Sequence, residues 1–488
     1  MPDDRSIQAS RLQVLIVGGS LGGLATAIAL RSQGHVVTIY EQAGFNDTRG
    51  AGITLFPNAL SALRDLDVEL STIRASKVKQ VSPLSSTPKT LSHPVVQITR
   101  TNLDEGCEAP KTVNVKLDES SWMWHNATYH DILIALRQKL NDPKSPGPKA
   151  EVRTCAQVVK VDPSHGVIFF ADGSQAHGHI IIGADGVHSV CRPYIPQGNN
   201  QRFRIQRGVF RALIPRETLL ADPKTSKFVE QLGHAICYNL EERSLLVFPA
   251  SEHENICVKL LYDDHKGFKS LCKDWREPSS RTKMLRIAAG LPEECIALLE
   301  KIEAQNLQDQ PIWDMDPLSN FHSHRLVLMG DAAHPMPPYC GQRVAMAIED
   351  AIALGTVLDP EVRLEELEER FKLYSTTRST RAAAVQQFVR GLSELDMWGG
   401  TSGFDATAFR TYILGHNERD HMTQALSYWK MQKSLQQDIS KVASNVTKPT
   451  NRTPDNTPQP KIAPVRRKSW FSKFLPSKQR PIVALVGT

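Results

Sequence analysis

Residues 11–42 read RLQVLIVGGSLGGLATAIALRSQGHVVTIYEQ, and this stretch decides the fold. Its first apolar run, VLIV, predicts a buried parallel strand, because it is too short to span a membrane and is followed by glycines. The turn that follows contains Gly18, Ser20 and Gly23. Such a turn lets backbone amides approach a ligand, and the positive end of the next helix points toward the same place. The stretch therefore predicts an α/β fold that opens with a strand–turn–helix unit.

Glu41 ends the second apolar run, 23 residues after Gly18 and 18 residues after Gly23. An acid at this distance can hydrogen-bond an adenosine ribose. The middle glycine of the usual G-x-G-x-x-G pattern is replaced by Ser20. The strand, helix and acid together favour dinucleotide binding over a purely structural tight turn.

Length and composition give the broad class. The chain has 488 residues, of which 41% are hydrophobic and 23% charged, enough for two or three domains of an ordinary soluble protein. The eight cysteines are scattered and predict neither a disulfide framework nor a metal site. No apolar segment approaches the length of a membrane span, and the first residues do not resemble a signal peptide. We expect a reducing, intracellular, cytoplasmic location.

The positive charge is concentrated near the end of the chain. The net charge is +6, but residues 441–480 contain ten Lys and Arg and one acid, so the remainder is mildly acidic and does not suggest nucleic-acid binding. The proline-rich and polar segment 446–488 is expected to be disordered. Its sequence RRKSWFSKFLPSKQR fits a weak contact with a membrane surface or a partner, or a solvated extension.

The middle of the chain contains two groups of β-prone runs. The first, VVKVD, VIFFADG and HIIIGADG, predicts a β-meander that ends in a turn at Asp185 and Gly186. The second lies within residues 203–310 and is followed by two helical stretches near 280–303. It predicts a sheet covered by helices, which would form one wall of a substrate cleft.

A third glycine-containing turn lies in RLVLMGDAAHPMPPYCGQRVAMAIEDAIAL, residues 325–354. Asp331 follows a buried strand, where its carboxylate can accept hydrogen bonds from a ribityl or sugar hydroxyl. A helix begins near Val344, so the free amides of Val344 and Ala345 can stabilise negative charge on a bound ring. We expect His334 to support this loop rather than act as a base.

Taken together, GGSLGG with Glu41, GADG, and GDAAHP…GQ…AIED resemble the flavin-binding motifs of the single-component FAD aromatic hydroxylases. This family includes p-hydroxybenzoate and salicylate hydroxylases and many fungal secondary-metabolism monooxygenases, and the resemblance extends from about Leu12 to Arg381. It implies a Rossmann-like FAD-binding domain with a parallel sheet and a β-meander, and a substrate domain built on a mixed or antiparallel sheet. The expected boundaries are 11–75, 126–200 and 311–395 for the FAD-binding domain, 76–125 and 201–310 for the substrate domain, 396–445 for C-terminal helices and 446–488 for the tail.

The resemblance also implies a place for each part of FAD. The pyrophosphate would lie on the turn from Gly18 to Gly23, and the ribose on Glu41. The remaining FAD contacts would come from Ala51 and Gly52 near the flavin, Tyr129 where many members have an arginine, Asp185 and Gly186 for both FAD and NAD(P)H, Asp331 for the ribityl chain, and Val344 and Ala345 for the flavin pyrimidine edge.

The activity implied by the resemblance is a monooxygenation. NADH or NADPH would bind transiently and reduce FAD, and a flavin C4a-hydroperoxide formed with dioxygen would hydroxylate an aromatic or polyketide-like small molecule, in secondary metabolism. Arg211 and Tyr238 match positions that bind an acidic or phenolic substrate group in relatives, although a surface arginine and a core-edge tyrosine fit these positions equally well. Epoxidation of an isoprenoid alkene and a flavin-binding scaffold without turnover are the alternatives.

Arg343 departs from the family pattern, which has glycine at this position. If the position requires a positive φ or close contact with the flavin, the Cβ and the long side chain would clash. Alternatively, the guanidinium places a positive charge near the reduced flavin. The residues alone leave both possibilities open.

Overall fold

The computed structural model describes residues 11–44, 51–85, 97–98, 113–114, 124–196, 202–240, 243–263, 279–338, 341–390 and 409–446. The predictions for the tail beyond Val446, and for residues 396–408 of the C-terminal region, lie outside these ranges.

The strands are, in chain order, β1 (Gln13–Val17), β2 (Val36–Tyr40), β3 (Gly52–Leu55), β4 (Ser76–Lys77), β5 (Gln80–Ser85), β6 (Gln97–Ile98), β7 (Val113–Asn114), β8 (His125–Thr128), β9 (Glu151–Arg153), β10 (Val158–Asp162), β11 (Val167–Phe170), β12 (Gln175–His177), β13 (Ile180–Gly183), β14 (Phe203–Pro215), β15 (His234–Leu240), β16 (Arg243–Ala250), β17 (Asn255–Asp263), β18 (Gln308–Asp314), β19 (His322–Ser323) and β20 (Leu326–Leu328). The α-helices are α1 (Leu21–Ser32), α2 (Pro57–Asp65), α3 (Tyr129–Asn141), α4 (Arg216–Leu220), α5 (Arg281–Ala288), α6 (Glu293–Glu300), α7 (Gln342–Val357), α8 (Leu367–Arg390) and α9 (Glu418–Val446).

The first sheet has the strand order β19-β20-β13-β1-β2-β9. β1 pairs in parallel with β13 and β2, while β19 at the edge is antiparallel to β20. A strand covered on both faces is a continuous apolar run, which explains why VLIV forms the buried β1. The predicted α/β fold with a central parallel sheet is confirmed.

Small residues let two helices pack closely beside this sheet. A Cβ at Gly22 in α1 would lie 3.3 Å from the Cβ of Ala347 in α7, and a Cβ at Gly355 would lie 2.9 Å from the Cβ of Ala29. The two helices therefore bring the turns at their N-terminal ends to the same region of the molecule.

The predicted β-meander is present, but with a different third strand. β10, β11 and β12 form a three-stranded antiparallel sheet. The more apolar segment Ile180–Gly183, which we expected in the meander, instead pairs in parallel with β1 and β20 in the first sheet. Its four buried residues are suited to a strand with both faces covered.

The second large sheet has the order β18-β14-β17-β16-β15-β5. It is antiparallel except for β5, which pairs in parallel with β15, so the predicted mixed sheet is confirmed. Side chains alternate across it. Cys257 and Leu261 join the core of the first sheet, whereas Val258 and Leu260 join a second core with helices α4 to α6.

The described C-terminal residues are helical, as predicted for this region. A π-helical turn spans Phe409–Leu414, and α9 follows. The chain forms two compact units, of which the first ends at Gln432 and contains both large sheets. The described residues of the second unit, which begins at Lys433, form the end of α9. Within the described ranges, every helix is too short or too polar to cross a membrane.

Candidate active site

Three turns meet at the carboxyl ends of β1, β13 and β20. Gly18 has a φ of 107°, and a Cβ there would overlap the carbonyl oxygen of Ala184. The Ala184 amide donates to the Val17 carbonyl at 2.9 Å, and the Met329 amide donates to the Gly183 carbonyl at 3.0 Å. The carboxyl edge of a parallel sheet is where α/β proteins bind ligands, so the turns predicted from sequence lie together in one candidate site.

The first turn needs glycine at two positions and tolerates serine at the third. A Cβ at Gly23 would overlap the carbonyl oxygen of Gly18. Ser20, in contrast, has a φ of −71° and an exposed side chain, so the missing glycine causes no strain. Within the described structure its side chain makes no capping hydrogen bond to α1. The amides of the first helical turn thus remain suited to an anionic ligand.

Glu41 lies against this turn. Its Oε2 accepts a hydrogen bond from the Gly19 amide at 2.7 Å, and its Oε1 accepts one from the Ala43 amide at 2.9 Å. The two bonds fix the carboxylate at the end of β2, beside the glycine turn. Its predicted contact with a ribose remains a prediction.

Tyr129 is the first residue of α3 and connects two predicted parts of the site. Its amide donates to the Ala51 carbonyl at 2.8 Å, and its hydroxyl forms a hydrogen bond with the Leu21 backbone at the start of α1. Burial, together with the nearby Glu41 carboxylate, raises the pKa of Tyr129 to about 12. The hydroxyl is therefore protonated at neutral pH and available as a hydrogen-bond donor beside the glycine turn.

Asp185 shapes the second turn. Its Oδ2 accepts hydrogen bonds from the amides of Val190, at 2.7 Å, and Cys191, at 3.1 Å, and Gly186 has a φ of 77°. Its Oδ1 is buried and finds no hydrogen-bond partner within the part of the chain that the structure describes. A buried carboxylate oxygen in this state is well suited to accept a bond from a ligand hydroxyl.

Arg192 links the second turn to the third, a role that the sequence did not reveal. Its Nε donates to the Ala332 carbonyl at 2.6 Å, and its Nη2 donates to the carbonyls of Asp331, at 3.0 Å, and Gly186, at 3.2 Å. Arg192 follows the GADG motif directly, but its partners in the third turn are about 140 residues away. No local pattern indicates such a partner.

The third turn contains an ion pair between Arg343 and Asp331. Nε of Arg343 donates to Oδ1 of Asp331 at 3.2 Å, and Nη2 donates to Oδ2. Gly341, which precedes α7, has the positive φ of 62°, whereas Arg343 is helical. Position 343 does not require a positive φ, so a residue with a Cβ is compatible with the backbone of this turn.

Val344 and Ala345 lie in the first turn of α7, as predicted. The described structure gives this helix no side-chain cap at Gly341, so the first amides are available to a ligand. Gln342 is buried, and its Oε1 accepts a hydrogen bond from Asn58 Nδ2 at 3.0 Å. This bond anchors the start of α7 to α2.

A buried charge network holds the third turn against α7 and α8. Oδ2 of Asp350 accepts a bond from the Gly330 amide at 2.8 Å and lies 2.7 Å from Nε2 of His334, which agrees with the expected supporting role of His334. Arg378 donates to Asp350 at 2.7 Å and to Glu349 at 3.1 Å. The signal in the sequence is the pair of acids Glu349 and Asp350 within the apolar middle of this helix.

His416, Glu418 and His421 each place a possible ligand atom within 4.8 Å of the others, a spacing that suits a metal ion. However, Arg378 already pairs with Glu418, and His416 Nε2 lies 2.7 Å from the same carboxylate oxygen. A guanidinium at the carboxylate opposes a second cation. We therefore assign this cluster to the buried ion-pair network.

Gly52 begins β3, in a separate small sheet with the order β3-β8-β4, and this residue contacts the second large sheet. A Cβ at Gly52 would overlap the Cys257 sulfur and lie 2.7 Å from Cε2 of Phe248. Arg211 is opposite Lys259 in the pairing of β14 with β17, and Lys259 Nζ lies 4.9 Å from the Phe248 ring centroid. Strand alternation puts Arg211 and Lys259 on the face that carries Cys257.

Tyr238, which was also expected to contact the substrate, lies on the other face of that sheet. Its neighbour Cys237 packs into the core of the first sheet, which turns Tyr238 toward the helical layer. There its ring centroid lies 6.1 Å from that of Phe228, and its hydroxyl bonds with Cys295. The structure thus brings Arg211, but not Tyr238, to the face that meets Gly52.

Comparison with known proteins agrees with this arrangement. A family model described as FAD binding domain matches residues 11–389. Hispidin-3-hydroxylase from Neonothopanus nambi is 29% identical over 390 residues, which cover 77% of this chain and 86% of that protein. The 6-hydroxynicotinate 3-monooxygenase of Bordetella bronchiseptica is 27% identical over 380 residues, covering 77% and 90%.

A solved structure shares the fold. The crystal structure of CtdE in complex with FAD and a substrate has a TM-score of 0.69 at 18% identity, and the match covers 88% of this chain and 100% of that one. The chain belongs to the FAD-binding-domain family, and its predicted relationship to the FAD-dependent monooxygenases is confirmed.

Proposed function

We propose that this protein uses NADH or NADPH and dioxygen to hydroxylate an aromatic or polyketide-like small molecule that carries an acidic or phenolic group. One observation carries the proposal. Gly52, which the resemblance places near the flavin, contacts the face of the second sheet that contains Cys257 and Phe248. Arg211 and Lys259 lie on this same face. One relative is named as a hydroxylase and another as a monooxygenase, and the name of the second specifies a ring with a hydroxyl and a carboxylate.

FAD fits the residues at the three turns. Gly18 and Gly23 form a cradle that a Cβ would fill, and two long helices direct uncapped amides toward the same region. The buried Oδ1 of Asp185 adds an acceptor for a hydroxyl group. Bound FAD would supply reduction by the nicotinamide and activation of dioxygen at the flavin C4a carbon.

The chain's own residues would bind and orient this cofactor. The amides at the start of α1 that are not bonded to Glu41 or Tyr129 would hold the pyrophosphate, and the protonated Tyr129 hydroxyl would donate a hydrogen bond beside them. Glu41 and Asp331 accept bonds from ribose and ribityl hydroxyls, respectively. The amides of Val344 and Ala345, together with the positive end of α7, stabilise negative charge at the pyrimidine edge of the flavin.

The second sheet would bind the substrate. Arg211 and Lys259 supply two positive charges for a carboxylate or phenolate, and Phe248 supplies an apolar surface beside them. A water-poor wall of this kind strengthens charge interactions and prevents unproductive loss of the activated oxygen. Substrate specificity should therefore depend on an anionic group on the ring.

The test is a panel of hydroxylated aromatic acids, neutral phenols and prenylated alkenes, assayed for stimulated NADH and NADPH oxidation. Labelled dioxygen should place one labelled oxygen atom in the hydroxylated product. Arg211→Gln should raise KM for acids about tenfold or more, in line with the loss of a charge-assisted hydrogen bond. Exclusive epoxidation of alkenes, or the absence of labelled oxygen in every product, would contradict the proposal.

A further inference from the structure

The carboxylate that the family resemblance assigns to the ribityl chain has a resident counter-ion in this chain. Both oxygens of Asp331 are engaged by Arg343, one by Nε at 3.2 Å and the other by Nη2. The geometry is the bidentate one that makes arginine–carboxylate pairs strong and specific. At 36% and 20% exposure, the two side chains are only partly shielded from solvent.

The pair belongs to a specific architecture. Asp331 follows β20 at the carboxyl edge of the parallel sheet, and Arg343 lies in the first turn of α7, twelve residues later. Gly341 is the residue of this turn that adopts the left-handed conformation, and Arg343 is helical. The side chain at position 343 can therefore reach Asp331 without altering the path of the backbone.

Among the neighbouring charged side chains that the structure describes, Arg343 is the one that pairs with the Asp331 carboxylate. Arg192 also lies close to the third turn, but its guanidinium donates to backbone carbonyls, including that of Asp331, rather than to the Asp331 carboxylate. Asp185 is the other acid near Arg192. Among the ion pairs of the described residues, Arg343 is the cation that compensates the Asp331 carboxylate.

We propose that Arg343 sets the redox balance of the bound FAD by compensating Asp331, the carboxylate assigned to the ribityl chain. Hydride transfer oxidises NAD(P)H to NAD(P)+ and delivers two electrons and one proton, so the flavin gains one negative charge. With glycine at position 343, Asp331 would lose its ion-pair partner, and Arg192, which donates to backbone carbonyls, would offset its negative charge only in part; the remaining negative charge disfavours this change. With Arg343 in place, the local charge is neutralised, and the positive end of α7 acts unopposed.

This inference rests on FAD binding, which follows from the family, and not on the proposed hydroxylation. Arg343 is a positioning residue for the charge of Asp331. Its effect should therefore appear in the reduction potential of the bound flavin, which a merely structural role would not change in a charge-dependent way.

The experiment compares the potentials of the FAD-loaded wild type, Arg343→Met and Arg343→Lys by dye equilibration. Arg343→Met should lower the preference for reduced over oxidised FAD about tenfold, equivalent to a shift of about −30 mV for a two-electron couple. Arg343→Lys keeps the charge and should retain most of the wild-type potential. Asp331→Asn leaves the cation uncompensated and should shift the potential in the positive direction.

Arg363→Met is the matched control, since Arg363 pairs with the exposed Glu365 and with Glu366 just before α8. It should leave the potential unchanged.

If Arg343→Met does not fold, Arg343→Gln is compared with Arg343→Lys in its place. Equal potentials for wild type and the neutral variant, or equal shifts for Met and Lys, would overturn the inference. If the protein hydroxylates its substrate but Arg343→Met does not change the reduction potential, only this inference is refuted. If Arg343→Met shifts the potential but the protein hydroxylates no compound, only the proposed function is refuted.

Discussion

Nε of Arg378 lies 2.7 Å from Oδ1 of Asp350, and both side chains are fully shielded from solvent. The other oxygen of Asp350 holds the Gly330 amide and His334, so one carboxylate joins α8 to the turn that carries Asp331. The third turn of the candidate site is therefore positioned by a charge network in the core, not only by its own backbone.

Removing Arg378 should be among the most destabilising single changes in this protein. Arg378→Met leaves Asp350 and Glu349 buried without one of their main counter-ions, and breaking a buried pair on one side costs about 3–5 kcal/mol. Chemical denaturation at fixed FAD concentration measures the effect. The exposed control Arg363→Met should change the free energy of unfolding by less than about 1 kcal/mol. A similarly small effect for Arg378→Met would contradict this assignment.

The same network predicts a particular acid sensitivity. Burial alone would raise the pKa of Asp350, but His334 and Arg378 outweigh it and hold that pKa below its usual range. For Glu349, burial is likewise outweighed, chiefly by Arg381, and its pKa is also lowered.

A carboxyl group with a lowered pKa in the folded state contributes stability above its unfolded-state pKa and loses it as the pH falls through the folded-state value. The free energy of unfolding should therefore decrease as the pH drops below about 4.5. In Asp350→Asn this decrease should be smaller, because one of the two groups no longer titrates. Urea titrations between neutral pH and about pH 3 measure it. An unchanged slope in the variant would show that Asp350 contributes nothing to it.

The two faces of the second sheet can be separated by a pair of substitutions. Tyr238→Phe removes a hydroxyl that faces Phe228 and Cys295 in the helical layer, so kcat and KM should remain within about twofold of wild type. Arg211→Gln should raise KM for acidic substrates without a matching loss of stability. Steady-state kinetics of both variants provide the comparison. If Tyr238→Phe lost as much activity as Arg211→Gln, the assignment of faces would be wrong.

Gly52→Ala tests the contact between the small sheet β3-β8-β4 and the second large sheet. The new methyl group would overlap the Cys257 sulfur and crowd Phe248, and overpacking of this kind costs about 1–3 kcal/mol. Substrate affinity should fall as well, because the wall of the cleft is displaced. Cys257→Ala removes the sulfur and should partly rescue Gly52→Ala, so that the effects of the two changes are not additive. Strict additivity would place the contact elsewhere.

Local patterns predicted much of this fold. The apolar run VLIV, the turn at Gly18 and Gly23 and the acid Glu41 are signals within 32 residues, and all three lie where we expected them. The face occupied by Tyr238 was beyond such patterns, because a shift of one residue along a strand reverses every side chain. Cys237, one position earlier, shows which parity this strand adopts.

Long-range side-chain partners were equally hidden. Arg192 contacts the third turn, about 140 residues away. Arg343 departs visibly from the family pattern, but the sequence does not indicate its partner. The structure supplies the partner, Asp331, and shows that the positive φ belongs to Gly341. Ion pairs depend on where turns meet in space, which periodicity along a chain does not encode.

Three turns that meet at one edge of the parallel sheet should together hold one FAD, and the flavin content of the purified chain tests this most directly. Wild-type protein should show flavin absorbance with one FAD per chain, as purified or after reconstitution. Gly18→Val, whose side chain would collide with Ala184, should bind little or none under the same conditions. Absence of flavin from reconstituted wild-type protein, or full FAD binding by Gly18→Val, would contradict the claim that the three turns form one FAD site.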